Sequence, residues 1–231
     1  MTFPETPPSA VTLLRSTSPE GRARGMRVVA EVYWAVVYRH LRLRFQMPPE
    51  QAEDTVQAFF LHLVETELAA TYDPSRARFR TFLRQCLENF AISVHRKATA
   101  QRRRGNELDV DFASLEATLA TPAPEPSSFD RDWVRRVAEV AVERLLAALE
   151  KAGKPVHAEV FRRFHLQDEP PSYQAIADEL GIKVSDVTNW LHSTRREFRH
   201  TALTLLREIT ATEDELVEEA REVFGIDVGD G

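Results

Sequence analysis

Cysteine occurs once in the 231-residue chain, at Cys86. A single thiol cannot close an intrachain disulfide, which points to a reducing, cytoplasmic setting. Glycine is scarce, with eight residues, while Ala, Leu, Glu and Arg dominate long stretches, so a mostly helical protein is expected. No apolar run approaches the length of a membrane span, and Met1 to Pro8 lacks the charged-then-apolar order of a signal peptide, so no membrane partner is expected. The histidines at 40, 62, 95, 157, 165, 192 and 200 show no metal-ligand spacing with one another or with Cys86. A phosphate loop, a nucleophile elbow and a dinucleotide fingerprint are all missing. Neither a catalytic centre nor a cofactor is expected. What is present is 43% apolar residues, enough for one large or two modest globular domains.

The net charge is −6, which as a single number argues against a nucleic-acid partner. Its distribution argues the other way. From Arg76 to Arg104 there are nine basic residues and one acid, Glu88, a net +8. From Glu213 to Gly231 there are eight acids and one base, Arg221, a net −7. The basic segment suits contact with phosphates.

Periodicity gives the expected elements. Residues 1–20, rich in Pro, Ser and Thr, read as a flexible lead-in. Met26, Val29, Val32, Tyr33, Val36, Val37, His40 and Leu41 recur at helical steps within 22–43. Pro48 and Pro49 open a helix from Glu50 to about Leu68, whose inward stripe is Ala52, Val56, Phe59, Phe60, Leu63 and Val64. Glu53, Asp54 and Gln57 lie off that stripe. Tyr72 to Ser75 reads as a turn, followed by a long helix from Phe79 to Arg103. Residues 105–128, with a Pro-rich end and a candidate short helix at 112–119, read as a linker. Fully extended it reaches roughly 80 Å at about 3.3 Å per residue, more than two turns of DNA at about 70 Å. A helix from Asp132 to Lys151 carries Trp133, Val137, Val140, Ala141, Leu145, Leu146 and Leu149. A break at Gly153 to Pro155 and a helix to His165 follow. The fold class is therefore all-α, with two helical domains, 21–104 and 129–210, joined by 105–128 and followed by an acidic extension, 211–231.

The strongest local signal runs from Ser172 to Arg199. Ser172 is placed as an N-cap; Ile176, Ala177 and Leu180 form one short inner face. Gly181 supplies a tight turn and Ile182 plugs the corner. Val187, Leu191 and Phe198 face inward from a second helix. This is a helix-turn-helix pattern. Its second helix would present Ser185, Asp186, Thr188, Asn189, His192, Arg195 and Arg196. Thr188 and Asn189 near its start can read base edges, and Arg195 and Arg196 can hold phosphates. The same pattern in a plain helical hairpin would give a solvated polar face.

The segment from Gln51 to Val64 contains Ala-Glu-Asp-Thr-Val-Gln-Ala-Phe. It resembles region 2.2 of sigma factors, the polymerase-docking segment, which implies polymerase contacts for Glu53, Asp54 and Gln57. The stretch from Phe79 through Asn89 to Arg104 resembles regions 2.3 and 2.4, which melt and read the −10 promoter element. The resemblance implies −10 contacts for Arg80, Arg84, Asn89, Arg96, Lys97, Arg102, Arg103 and Arg104. Tyr72 in the preceding loop is a candidate stacking platform for a single-stranded base; Phe79 and Phe82 read as core. The helix-turn-helix resembles region 4.2, the reader of the −35 element. The two-domain layout is similar to the extracytoplasmic-function group of the sigma-70 family. The partners so implied are core RNA polymerase and promoter DNA, with an anti-sigma protein as a further candidate. The chain departs from the family pattern at Gln51, Thr55, Phe82, Trp190 and Ser193.

Taken alone, the row Glu53, Asp54 and Gln57 reads first as a solvated helix face, although it would also suit an Arg-rich partner. A one-component regulator with a ligand-sensing N-terminal domain is the alternative from another class. A recombinase-type nuclease would need clustered acids in the basic domain, where only Glu88 stands. The tail, an amphipathic helix over 213–224 with Leu216, Ala220 and Phe224 on one side, reads either as structure or as an autoinhibitory element.

Overall fold

The computed structural model describes residues 8–66, 68–103 and 128–227, with the side chains of 97–103 left aside. The described residues form nine α-helices and no strand. They are α1 (Ala10–Leu14), α2 (Pro19–Arg44), α3 (Pro49–Glu65), α4 (Phe79–Arg103), α5 (Ser128–Lys151), α6 (Pro155–His165), α7 (Tyr173–Leu180), α8 (Val184–Ile209) and α9 (Glu213–Phe224). A 3-10 turn at Leu68–Thr71 follows α3. The linker at 105–127, with the short helix expected at 112–119, lies outside the described residues.

The chain divides into two compact units. Unit 1 contains the described parts of 1–136 together with 208–216; unit 2 contains 137–207 and the described part of 217–231. The segments 128–136 and 208–216 thus group with unit 1 rather than with all of their neighbours in sequence.

Unit 1 is built on three long helices. Val29, Val32, Val36, Val37 and Leu41 of α2 are buried with Ala52, Val56 and Phe59 of α3 and Leu83, Leu87 and Ala91 of α4. An aromatic cluster completes the core. Tyr33 lies 5.8 Å from Phe79 and 6.4 Å from Trp133, and Phe79 lies 5.3 Å from Tyr72. Phe129 is seated edge-on against His40 at 5.3 Å. These ring contacts fasten the start of α5 to unit 1; truncating a buried aromatic of this kind costs about 3–5 kcal/mol.

The lead-in departs from expectation. Within residues 1–20, Ser9 caps α1 by accepting from the Thr12 amide, and Ala10, Val11 and Leu14 are buried. The stretch orders because α2 admits it at a glycine: a Cβ on Gly25 would stand 2.6 Å from the Ala10 carbonyl oxygen. Any other residue there would push α1 away. A second departure concerns Thr55, a polar residue at an inward position. It is buried, and its hydroxyl donates to the Gln51 carbonyl at 2.7 Å, so the helix itself satisfies the group.

In unit 2, Leu145 and Leu149 of α5 pack with Ala158 and Phe161 of α6, Val160 of α6 packs with Ile176 and Ala177 of α7 and with Val187 and Leu191 of α8, and Val137, Val140 and Ala141 of α5 are buried. A tight turn joins α7 to α8. Ser172 accepts from the Ala175 amide at 3.1 Å, Gly181 ends α7 in the left-handed region at φ 65°, and Ile182 donates back to the Ala177 carbonyl. Glycine adopts that φ without the steric strain a Cβ brings. Ile182 packs on the cluster of Val160, Ile176, Ala177, Val187 and Leu191. Phe224 of α9 meets Phe198 of α8 edge-on at 5.7 Å, and Arg199 donates to the Asp227 carbonyl.

Candidate polymerase and DNA surfaces

On α3, the apolar stripe turns inward and leaves Glu53, Asp54 and Gln57 exposed, as their spacing requires. Leu61 continues this exposed face with 56% of its surface accessible, and Val64 is also exposed. Val64 was expected inside. Beside this face, Trp34 of α2 stacks on Phe60 at 5.4 Å and remains 38% exposed. A groove of about 460 Å³ runs between the helices, lined by Pro19, Arg22, Ala23, Met26, Arg27 and Ala30 of α2 and by Val64 of α3. The arrangement is an acidic row bordered by apolar side chains. Sequence reading missed the apolar half, although Leu61, an off-stripe leucine one turn beyond Gln57, was its signal.

The expected −10 residues separate into three groups. Asn89 and Arg96 are exposed and Arg84 is half-buried. Asn89 lines a cavity of about 320 Å³ with His62, Cys86, Phe90 and Ser93. Tyr72 and Arg80 are buried, 3% and 6% exposed. Tyr72 donates its hydroxyl to the Ala77 carbonyl at 3.0 Å, so it pins the loop before α4 and offers no stacking face. Arg80 lies 3.5 Å from the Asp130 carboxylate with its guanidinium 4.7 Å over the Trp133 ring. Both placements correct the expectation of accessible contacts. The side chains of Lys97, Arg102 and Arg103, and residue Arg104, lie outside the described residues. Phe82 is half-buried against Tyr72 and Phe79, in the aromatic cluster.

The helix-turn-helix presents its second helix differently. Ser185, Thr188, Asn189, His192, Arg195 and Arg196 are all exposed along α8. Asp186 is half-buried and accepts from the Lys183 amide at 3.1 Å, which satisfies an orphan donor at the start of α8. Its first duty is therefore to the helix. Thr188 donates its hydroxyl to the Val184 carbonyl at 3.1 Å. Arg195 donates to His165 Nε2 at 3.2 Å and lies 5.5 Å over Phe164, which aims its guanidinium. Burial and the neighbouring Arg195 hold the His165 pKa below its usual value, in keeping with a neutral ring that accepts. Trp190 stacks on His157 at 4.5 Å, so this departure from basic character is an anchor between α8 and α6. Burial, with Lys154 adding to it and Glu197 opposing, lowers the His157 pKa.

Residues 31–101, from within α2 to near the end of α4, match the family model Sigma-70 region 2. This segment is similar to region 2 of the sigma-70 family, over less than a third of the 231-residue chain. No curated protein and no solved structure matches the chain. The matched residues span part of α2, all of α3 and most of α4, and so include the acidic row. Among the described residues, no group of His, Cys, Asp or Glu could hold a metal ion, and no helix is long and apolar enough to cross a membrane.

Proposed function

We propose that the chain is a sigma factor of the extracytoplasmic-function type, which binds core RNA polymerase and directs it to promoters. The carrying observation is the region 2 match over α2–α4, on a unit whose acidic row is exposed beside apolar side chains. The helix-turn-helix of unit 2 supports the same reading as a region 4-like reader of the −35 element. In this reading Glu53, Asp54 and Gln57 bind a basic surface of the polymerase, with Trp34 and Leu61 supplying apolar contact. Charged rows give registry and on-rate; buried aromatic and aliphatic anchors give most of the affinity. Helix α4 meets the −10 element through Asn89 and its basic residues, and Asn189 and Thr188 read upstream bases while Arg196 holds phosphate.

The test is co-elution of the purified chain with core polymerase on gel filtration, followed by run-off transcription. Stoichiometric co-elution with promoter-specific transcripts is the expected result. A chain that binds duplex DNA alone and never joins the polymerase would favour the one-component regulator instead.

A further inference from the structure

Three arginines stand at the C-terminal end of α6, and two of them are tied to carboxylates. Arg162 meets Glu150 at 2.6 Å, and Arg163 is bound by Glu159 at 2.7 Å and by Glu179. The third, Arg195 of α8, is held by a group of another kind. Its Nε–H donates to His165 Nε2 at 3.2 Å, and its guanidinium lies 5.5 Å over the Phe164 ring. The support for this pose reaches the core of unit 2. Phe164 meets Tyr173 of α7 edge-on at 5.2 Å, and both rings pack on the cluster of Val160, Ile176, Ala177, Val187 and Leu191. The His165 ring lies 4.9 Å from Phe161 and 5.0 Å from Phe164. A long side chain with much rotamer freedom is thereby fixed at two points while it stays exposed.

A carboxylate in place of His165 would also hold the guanidinium, but it would offset the charge, as at Arg162 and Arg163. A neutral imidazole nitrogen accepts one N–H and leaves the full cation, with its Nη donors still to give. We propose that His165 is a positioning residue for nucleic acid, one that aims Arg195 at a backbone phosphate without offsetting its charge and does so only while the ring is neutral. Preorganisation of this kind lowers the ordering cost of binding. A protonated ring has no lone pair to offer and sets a second cation against the first. Around the ring, Arg162 and Arg163 of its own helix are compensated, the exposed Asp168 and Glu169 follow in the next loop, and α8 brings Arg195, with the exposed His192 one turn before it. Burial first and Arg195 second hold the His165 pKa below its usual value. The ring is therefore neutral above about pH 6.5, and the aim is lost as pH falls through the lowered value. This role rests on the reading of α8 as the upstream DNA reader.

The experiment takes the full-length chain with core polymerase and a duplex selected from a random library, and divides the affinity for it by that for a scrambled duplex. An added positive charge raises both affinities, whereas a phosphate contact of fixed geometry belongs to the specific complex. His165→Ala should lower the ratio about threefold to tenfold, the cost of ordering one long side chain. His165→Gln, whose amide oxygen can accept from Arg195, should restore it. In an Arg195→Ala background the change at His165 should have no effect. From about pH 7.5 to about pH 5.5 the ratio should fall for the wild-type chain and hold for His165→Gln, a difference that separates His165 from His192 and His200. A loss in His165→Ala that persists in the Arg195→Ala background, or coincident pH profiles for wild type and His165→Gln, would overturn the proposal and leave His165 structural. Should the wild-type chain fail to join core polymerase, the sigma-factor reading falls, and the same ratios on a duplex selected by the chain alone decide the positioning role. A chain that selects no duplex in either form overturns it.

Discussion

The two helices that face nucleic acid in this account present their charge in opposite ways. Helix α8 of unit 2 turns Asn189, His192 and Arg196 outward, and its start is completed by its own Asp186. Helix α4 of unit 1 carries more positive charge, but its first turn is capped by Glu215 and its Arg80 is buried against Asp130 and Trp133. Among the described basic side chains of α4, Arg80 is buried, Arg84 half-buried and Arg96 exposed, whereas Arg195 and Arg196 of α8 are both exposed. A charge that reads as a DNA contact in sequence is available only when no carboxylate of the same unit has claimed it.

The largest effect sought is on the other face of unit 1, where the acids are exposed rather than engaged. Changing Glu53 and Asp54 together to Lys should abolish binding to core polymerase while helical circular dichroism is unchanged. Retained co-elution by the folded double variant would remove the acidic row from the docking surface. Trp133→Ala should come next. It should destabilise unit 1 by about 3–5 kcal/mol, read by denaturant unfolding, and should uncover Arg80 at the same time. A loss under about 1 kcal/mol would mean that the start of α5 contributes little to unit 1.

The open helix is tested by smaller changes. Asn189→Ala should relax preference at one or two upstream base pairs by about 1–3 kcal/mol, measured with a library of promoter variants. Arg196→Ala should weaken all sequences alike. An unchanged upstream preference in Asn189→Ala would show that the register of α8 in the groove is different.

The smallest effect concerns acid. Both histidines with lowered pKa values, His157 and His165, lie in unit 2. Each binds its proton more readily in the unfolded chain, whose histidine pKa is near 6.5. Their contribution to stability is therefore present above about pH 6.5 and is lost as pH falls through the folded values. Unit 2 should lose melting temperature between pH 7 and 5, and His157→Gln should flatten that slope. An unaltered slope would show that its stacking on Trp190 is indifferent to charge.

Much of this architecture was legible in the chain. The long helices and the turn at Gly181 follow from apolar periodicity, from the breaks at Pro48, Gly153 and Pro171, and from one residue suited to positive φ. The ordered helix α1 was hidden behind neighbouring prolines, although Ser9 and the apolar Val11 and Leu14 carried its signal. Tyr72 and Arg80 were misjudged for a common reason. Aromatic and basic side chains suit both nucleic acid and a buried partner, and the partners here, Ala77, Asp130 and Trp133, depend on tertiary packing that periodicity does not encode. The capping of Phe79 N–H by Glu215, which with Thr212 has the spacing of a capping box, was equally illegible, because a capping box in sequence points to its own helix.

Footprinting of the polymerase complex on a promoter selected from a random library tests the central claim most directly. The account predicts permanganate-reactive thymines at the downstream element, showing a melted −10 segment, together with an upstream protection that Asn189→Ala alters. A single upstream footprint produced by the chain without polymerase, and no melted thymines with it, would contradict the account.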